Sequence, residues 1–250
     1  MHRQELRDDE WDRIKDLLPG REGWVGVTAQ NNRLFVEAVL YRCRTGVPWR
    51  DLPEHFGDWK NIHRRYSRWA KSGVWERIFQ HLASDADHEY AMLDSTIVRA
   101  HQHSAGAQGG DGQAIGRSRG GLSTKIHTLV DALGNPVNFH LTGGEAHDLV
   151  GADHLLPNMQ ADALLGDKAY DADERVIKPL EEAGKRAVIP PKANRRSPRK
   201  FDRDLYKAPH LIENFFAKIK QFRAIATRYD KTARNFLAAV YVVAIAILLN

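Results

Sequence analysis

The order of short apolar runs and amphipathic stretches after about residue 89 constrains the fold of this chain most. Three strand-forming runs come first, at residues 91–101, 123–134 and 135–145, and the last two join at Gly134-Asn135, a hairpin signal. Helix-forming and strand-forming stretches then alternate, at residues 147–159, 163–170, 171–184 and 186–191, before a long helix from about Pro209. The pattern predicts the order β–β–β–α–β–α–β–α.

A meander of three strands followed by alternating helices and strands is the ribonuclease-H-like arrangement. We therefore predict an α/β domain over residues 89–250, with a mixed five-stranded sheet and flanking helices. The Gly/Ser-rich stretch at residues 104–121 is polar and has no apolar period, which predicts a flexible loop.

Residues 1–88 have a different, wholly helical pattern. A helix over about 31–44 ends at residues 45–48, a short segment follows, and another helix begins at Asp58, a favoured N-cap residue type. This second helix, which reaches Gly73, has Tyr66 and Trp69 on one side. Basic residues line its other side, at Lys60, Arg64, Arg68 and Lys71.

This order of helices is that of a helix-turn-helix unit, so we predict an all-α, DNA-binding domain at residues 1–88 that contacts DNA through the four basic residues. The alternative is a packing helix with a solvated charged face. The formal net charge of +5 and the pI of about 9.3 fit a polyanionic partner but do not identify one.

The single cysteine and the longest apolar run exclude several other classes of protein. Cys43 alone cannot form a disulfide within the chain or a multi-cysteine zinc site. The apolar run at residues 236–249 is shorter than the roughly 20 residues that a membrane span needs, so it predicts a buried helix. The first residues lack the apolar stretch of a secretory signal. We expect a cytoplasmic, nucleoid-associated protein with no membrane partner.

Three acidic residues, Asp94, Asp167 and Glu213, lie among apolar neighbours. Asp94 interrupts an apolar strand, Asp167 ends another, and Glu213 begins a helix with a strongly apolar face. A carboxylate in such surroundings needs a cation or strong hydrogen bonds nearby. For two of them a structural alternative is open: Asp167 could begin a loop, and the helix dipole favours Glu213 in a first turn.

Phosphodiester chemistry supplies a common reason for the three acids. Two hard cations about 3.5–4 Å apart neutralise the charge on the attacking and leaving oxygens, and Mg²⁺ takes oxygen ligands. We therefore predict that Asp94, Asp167 and Glu213 are catalytic and bind two Mg²⁺ ions, for which Mn²⁺ is an alternative. Lys220 lies seven residues after Glu213, close to two helical turns, and so shares its face. With Lys218, Arg223 and Arg228, we expect it to contact DNA phosphates.

A dense run of positive charge precedes the helix of Glu213. Residues 185–207 hold nine basic residues and two acidic ones, and three prolines keep the segment from joining either neighbouring element. We predict a mobile loop that holds the DNA backbone without reading bases, through Arg195, Arg196, Arg199 and Lys200. A solvated loop with no DNA contact is the alternative.

Longer strings of sequence carry a family resemblance. They are residues 46–79, 93–101, 120–137, 164–173 and 211–241. Across them, over nearly its whole length, the chain resembles the bacterial insertion-sequence DDE transposases of the insertion-sequence-five group. The resemblance implies that Asp94, Asp167 and Glu213 form the catalytic triad. It also implies roles for Tyr206 and Lys220, which match the signature around the family's glutamate.

The resemblance further implies recognition of terminal inverted repeats, release of 3′-hydroxyls and their joining to target DNA. The implied partner is double-stranded DNA, at element ends and target, bound by a homo-oligomer. Pro209 stands where the family signature has arginine, and proline supplies no donor for a phosphate.

Two other functions fit the same residues. A ribonuclease-H-like nuclease would use the triad for hydrolysis alone, and a catalytically impaired DNA-binding remnant would be consistent with Pro209. Four histidines, at positions 101, 103, 127 and 147, match no compact metal-binding motif by their spacing.

Overall fold

The computed structural model describes residues 5–21, 28–105, 112–195, 197, 199–207 and 211–250. The predicted helical region contains α1 (Asp8–Ile14), α2 (Asn32–Thr45), α3 (Trp59–Lys71) and α4 (Val74–Leu82). Asp58 caps α3, as predicted, because its carboxylate accepts a hydrogen bond from the Lys60 N–H at 2.9 Å. Two short 3₁₀ turns, at Trp49–Asp51 and Glu54–Phe56, separate α2 from α3.

A mixed sheet forms the second region. Its strands within the described residues are β1 (Ala91–Ala100), β2 (Gly116–Ser118), β3 (Gly121–Val130), β4 (Pro136–Gly143), β5 (Ala163–Gly166), β6 (Arg186–Val188) and β7 (Thr227–Arg228). The five predicted strands lie in the order β4–β3–β1–β5–β6. β3 is antiparallel to β1 and β4, whereas β1, β5 and β6 are parallel. This confirms the α/β, ribonuclease-H-like arrangement that the sequence predicts.

Two short strands extend the predicted sheet. β7 pairs in parallel with the end of β1, at Arg99 and Ala100. β2 pairs with the start of β3 and lies inside the Gly/Ser-rich stretch, so the prediction of a loop throughout residues 104–121 is wrong there. Residues 106–111 of that stretch lie outside the described residues.

Helices cover both faces of the sheet. They are α5 (Asp148–Leu155), α6 (Lys178–Glu182), α7 (Arg203–Tyr206), α8 (Leu211–Lys220), α9 (Arg223–Ala226) and α10 (Ala233–Leu249). α5 packs on one face, in a core that includes Leu93 and Leu129. α8 and α10 pack on the other, in a core that includes Met92 and Ile126.

α10 joins the two regions. It is buried along most of its length, as the apolar run predicts, and it packs against α4, α2 and β4. The cluster of buried residues that contains α10 runs from Leu6 in the helical region to Leu249. The boundary at residue 88 remains a prediction, and apolar packing crosses it. In the described part of the chain, no helix is both long and apolar enough to cross a membrane.

Candidate active site

The alternation of side chains along β1 and β5 determines which face of the sheet carries Asp94 and Asp167. Met92 packs in the core beneath α8, whereas Leu93 packs in the core beneath α5. Because successive strand residues point to opposite faces, Asp94 lies on the α8 face. Leu165 belongs to the α8 core too, so Asp167, two residues further on, continues that face. Leu93 pairs with Gly166, which brings the two carboxylates to adjacent positions.

Glu213 lies on α8, the helix that packs on the same face of the sheet. The buried side of this helix consists of Ile212, Phe215, Phe216 and Ile219. Its exposed side includes Glu213 and Lys220, as their predicted spacing requires, with the small side chain of Ala217 between them. The structure thus brings the three predicted acids to one side of the sheet, and Lys220 accompanies Glu213.

The charge of Asp94 is poorly compensated. Burial raises the pKa of its carboxyl to about 6, and the negative charges of Asp167, Asp148 and Glu213 act in the same direction. One backbone hydrogen bond, from the Ser95 N–H to Asp94 Oδ1 at 2.7 Å, opposes the shift. A cation placed among these carboxylates would therefore be attracted by all of them.

Asp148, the first residue of α5, is a functional candidate that the sequence did not single out. Its Oδ1 accepts hydrogen bonds from the Ser95 hydroxyl at 2.6 Å and from Lys125 Nζ at 2.9 Å. Burial acts to raise the pKa of Asp148, but these two donors outweigh it and the pKa is lowered. In the sequence, Asp148 looks like an ordinary acid in a first helical turn. Its partners come from strands 23 and 53 residues away.

Tyr170 is a second residue near the site that sequence patterns did not single out. Its ring is buried against Gly166, and within the described residues its buried hydroxyl has no hydrogen-bond partner. Burial raises the pKa of Tyr170, with further contributions from the charges of Asp94, Asp148 and Asp167. The hydroxyl therefore stays protonated close to three carboxylates.

The donor chemistry of this site fits a hard cation. Among the described residues, no three carboxylate, imidazole or thiolate side chains are gathered into a group that could hold a metal ion by itself. Mg²⁺ usually keeps several waters and takes one or two carboxylates together with substrate phosphates, so a closed protein cage is not required. The partly buried Asp94 and the exposed Asp167 and Glu213 supply carboxylates of this kind. Their joint ligation of two ions stays a prediction.

The basic segment is anchored, and its prediction as a mobile loop is wrong in part. The buried Asp171 carboxylate accepts hydrogen bonds from the Lys192 N–H at 2.8 Å, Arg195 Nε at 2.9 Å and an Arg199 terminal nitrogen at 3.1 Å. Arg195 also pairs with Asp173. The two arginines therefore fasten the segment to the loop after Asp167.

Other predicted DNA contacts differ in accessibility. Arg228 was expected to contact phosphates, but it is fully buried and donates to Thr124 Oγ1 at 2.7 Å and to the carbonyl oxygens of Gln113, Ala114 and Asp230, so that expectation is wrong. Residues that remain exposed are Lys200, Tyr206, Lys218, Lys220 and Arg223. Arg196 and Pro209 lie outside the described residues.

The basic strip of α3 has the predicted exposure. Lys60, Arg64, Arg68 and Lys71 are all exposed, whereas Ile62, Tyr66 and Trp69 are buried. Arg65, on the same helix, packs over the rings of Phe35 and Trp69 instead. Contact between the strip and DNA remains a prediction.

Comparison with protein families identifies the chain. Residues 85–249 match the family described as "Transposase DDE domain", and residues 6–79 match "Putative transposase of IS4/5 family". The chain belongs to the DDE transposase family. This confirms the resemblance to insertion-sequence transposases. One match ends at residue 79 and the other begins at residue 85.

Two relatives match about half of this transposase each. "Uncharacterized protein y4sN" of Sinorhizobium fredii is 48% identical over 117 residues, which are 47% of this chain and 94% of the relative. "Putative transposase for insertion sequence element IS6501" of Brucella ovis is 36% identical over 123 residues, 48% of this chain and 93% of the relative. The chain also matches a solved structure described as "Crystal structure of the Mos1 mariner paired end complex with Mn". The match covers 96% of this chain and 86% of the chain in that structure, with 13% identity and a TM-score of 0.32. A likeness this distant supports no statement about the present site.

Proposed function

We propose that this transposase binds the terminal inverted repeats of its element and catalyses DNA strand cleavage and strand transfer with Asp94, Asp167 and Glu213. The observation that carries the proposal is the position of the three carboxylates on one side of the sheet, two from adjacent strands and one from the helix above them. We propose double-stranded DNA as its partner, bound by a homo-oligomer, and two Mg²⁺ ions as its cofactor, with Mn²⁺ as an alternative.

The residues around the triad have separate tasks in this proposal. When bound, a divalent cation stabilises charge on the attacking and leaving oxygens of the phosphodiester. Asp94 is the least exposed of the three carboxylates and would supply an oxygen ligand to the cation, with its Oδ1 held by the Ser95 N–H. Asp148 accepts hydrogen bonds from Ser95 on β1 and from Lys125 on β3. It thereby positions β1 at the residue that follows Asp94. The exposed face of α8 presents Lys220 to the phosphate beside Glu213.

A nicking assay tests this function. The purified chain is incubated with a duplex that carries the element end and its flanking DNA, with Mg²⁺ or with a chelator. We expect cleavage that exposes a 3′-hydroxyl at the end of the element, only with the metal, and not on a scrambled end. Metal-dependent cleavage of both duplexes alike would indicate a nuclease instead. Specific binding without cleavage would indicate the impaired remnant, for which Pro209 is the supporting observation.

We also propose that the exposed strip of α3 binds the DNA backbone. Replacing Arg64 and Arg68 together with Ala should weaken duplex binding and lower the slope of log affinity against log salt by about two, close to one per lost phosphate contact. Fluorescence anisotropy at several salt concentrations measures both. The control, Arg175→Ala with Lys178→Ala, removes the same net charge from surface residues paired with acids. An equal slope for wild type and the Arg64/Arg68 variant would make α3 a packing element.

A further inference from the structure

A cavity of about 660 Å³ lies between the helical region and the chain just before α10. It is lined from one side by the end of α2, the turn after it and the start of α3, and from the other side by residues 229–232 and Asn235. None of Asp94, Asp167 and Glu213 lines it. Its volume is within the roughly 300–1,000 Å³ that is typical of small-molecule sites.

Aromatic rings form much of the wall. Trp49, Trp59, His63 and Tyr229 all line the cavity. The rings of Trp49 and His63 lie 5.3 Å apart between centroids. Tyr229 is 45% exposed, and its ring stacks on that of His101 with a centroid distance of 4.6 Å and an angle of 24° between the planes. Accessible flat rings suit a planar ligand that stacks on them.

Two residues that line the cavity each carry one buried polar atom without a hydrogen-bond partner. Arg42 Nε, a donor, and Asn235 Oδ1, an acceptor, are buried and have no hydrogen-bond partner among the described residues. Arg42 is otherwise held by Asp230, at 3.1 Å between nitrogen and oxygen, and both side chains are buried. Buried polar atoms without partners are rare in native proteins, and each needs an explanation. Both atoms are inaccessible to solvent, so the ring faces and the charged rim are the groups that a ligand can reach.

Positive charge borders the opening of the cavity. Arg50 and Lys231 line it from opposite sides, and both residues are exposed. Asp230 is the acidic residue in its lining, and the buried pair with Arg42 neutralises it. The rim therefore favours an anionic group attached to the planar ligand.

We propose that this cavity binds one nucleobase together with its phosphate. The base stacks on Tyr229 and the tryptophans, and Arg50 and Lys231 hold the phosphate. The same chemistry has two sources: a base that is unpaired and rotated out of a DNA duplex, or a free nucleotide. Only the first source rests on the proposed function. In that case an unpaired base of the bound DNA would lie in this cavity, away from the catalytic face of the sheet.

The test compares two duplexes that share one sequence, one fully paired and one with a single unpaired adenine, and includes free deoxyadenosine monophosphate. We expect wild-type protein to bind the duplex with the unpaired base about fivefold to a hundredfold more tightly, the range for stacking one base on aromatic side chains. Tyr229→Leu and Trp59→Leu should each reduce this ratio toward one. Tyr229→Phe and Trp59→Phe, which keep a flat ring, should retain most of it.

The ratio of the two affinities cancels changes in overall DNA binding, and thermal unfolding of each variant identifies loss of folding. A third outcome is that the wild type binds the mononucleotide but does not distinguish the two duplexes. If Tyr229→Leu abolishes that mononucleotide binding, the cavity is supported as a site for a free nucleotide. Equal affinity for both duplexes with no mononucleotide binding would overturn the proposal. So would a preference that neither Leu variant changes. Binding and cleavage of the paired duplex test the proposed function separately.

Discussion

The Asp94→Asn variant should lose strand cleavage by about a thousandfold or more while its fold becomes more stable in the absence of metal. The loss follows because an amide carries no negative charge to hold a cation, and several kcal/mol of transition-state stabilisation would go with it. The volume of the side chain is unchanged, so the packing beneath α8 should be preserved. Cleavage of an element-end duplex in Mg²⁺ measures the first effect.

The gain in stability has a definite dependence on pH. In the folded chain burial raises the pKa of Asp94 to about 6, above the unfolded value near 3.8. Ionised Asp94 therefore costs folding free energy, a cost absent below pH 4 and fully present above pH 6. We expect Asp94→Asn to be more stable by about 1–2 kcal/mol at pH 8 in a chelator, after allowing for partial solvent screening, and equally stable at pH 3.5.

Bound Mg²⁺ should make the wild type more stable than Asp94→Asn, the reverse of the order in a chelator. At pH 8, Mg²⁺ should raise the unfolding temperature of the wild type and leave that of Asp94→Asn nearly unchanged, because a ligand stabilises only the state that binds it. Asp153→Asn, at an exposed acid on α5 away from the triad, is the matched control and should cleave as the wild type does. Full cleavage by Asp94→Asn would contradict the assignment of Asp94.

The Asp230→Ala variant should lose about 3–5 kcal/mol of unfolding free energy, measured in urea. Asp230 and Arg42 form an ion pair at 3.1 Å with both side chains nearly inaccessible, and removing one partner leaves an uncompensated buried charge. The pair connects α2 to the chain before α10, so its loss weakens the contact between the helical region and the sheet region.

An exposed pair provides the comparison. Arg175 and Asp153 also form an ion pair, but their side chains are 42% and 44% exposed. Asp153→Ala should cost at most about 1 kcal/mol, since solvent screens such pairs. Replacing Arg42 with Met and Asp230 with Leu together should recover most of the loss, because no charge then stays buried. Similar losses for Asp230→Ala and Asp153→Ala would show that burial does not decide the contribution of either pair.

The features that the sequence predicts correctly are those with local periodicity. The alternation around Asp94 marks a strand with a charged residue on one face, and the three- and four-residue spacing of α3 and α8 separates buried from exposed positions. β2 was not predicted, because a strand of three residues within a polar run is too short to show an apolar period.

The features that it missed depend on long-range contacts. Arg228 resembles any surface arginine in the sequence, yet its main partners are Gln113, Ala114 and Thr124, more than 100 residues away. Asp171 and Asp148 look like ordinary acids near helix starts. Asp171 anchors the basic segment and Asp148 binds two strands, and both roles depend on partners that are distant in sequence. Charge density alone therefore overestimated how much of residues 185–207 is available to DNA.

The packing of α10 bears on how the chain acquires its fold during synthesis. α10 fills the space between α4, α2 and the sheet, and it lies at residues 233–249. A nascent chain that has not yet delivered this helix would expose the apolar faces of α2 and α4 to solvent. The first 88 residues should then need a chaperone, or the rest of the chain, to stay soluble, whereas separately made halves should recover their fold when mixed.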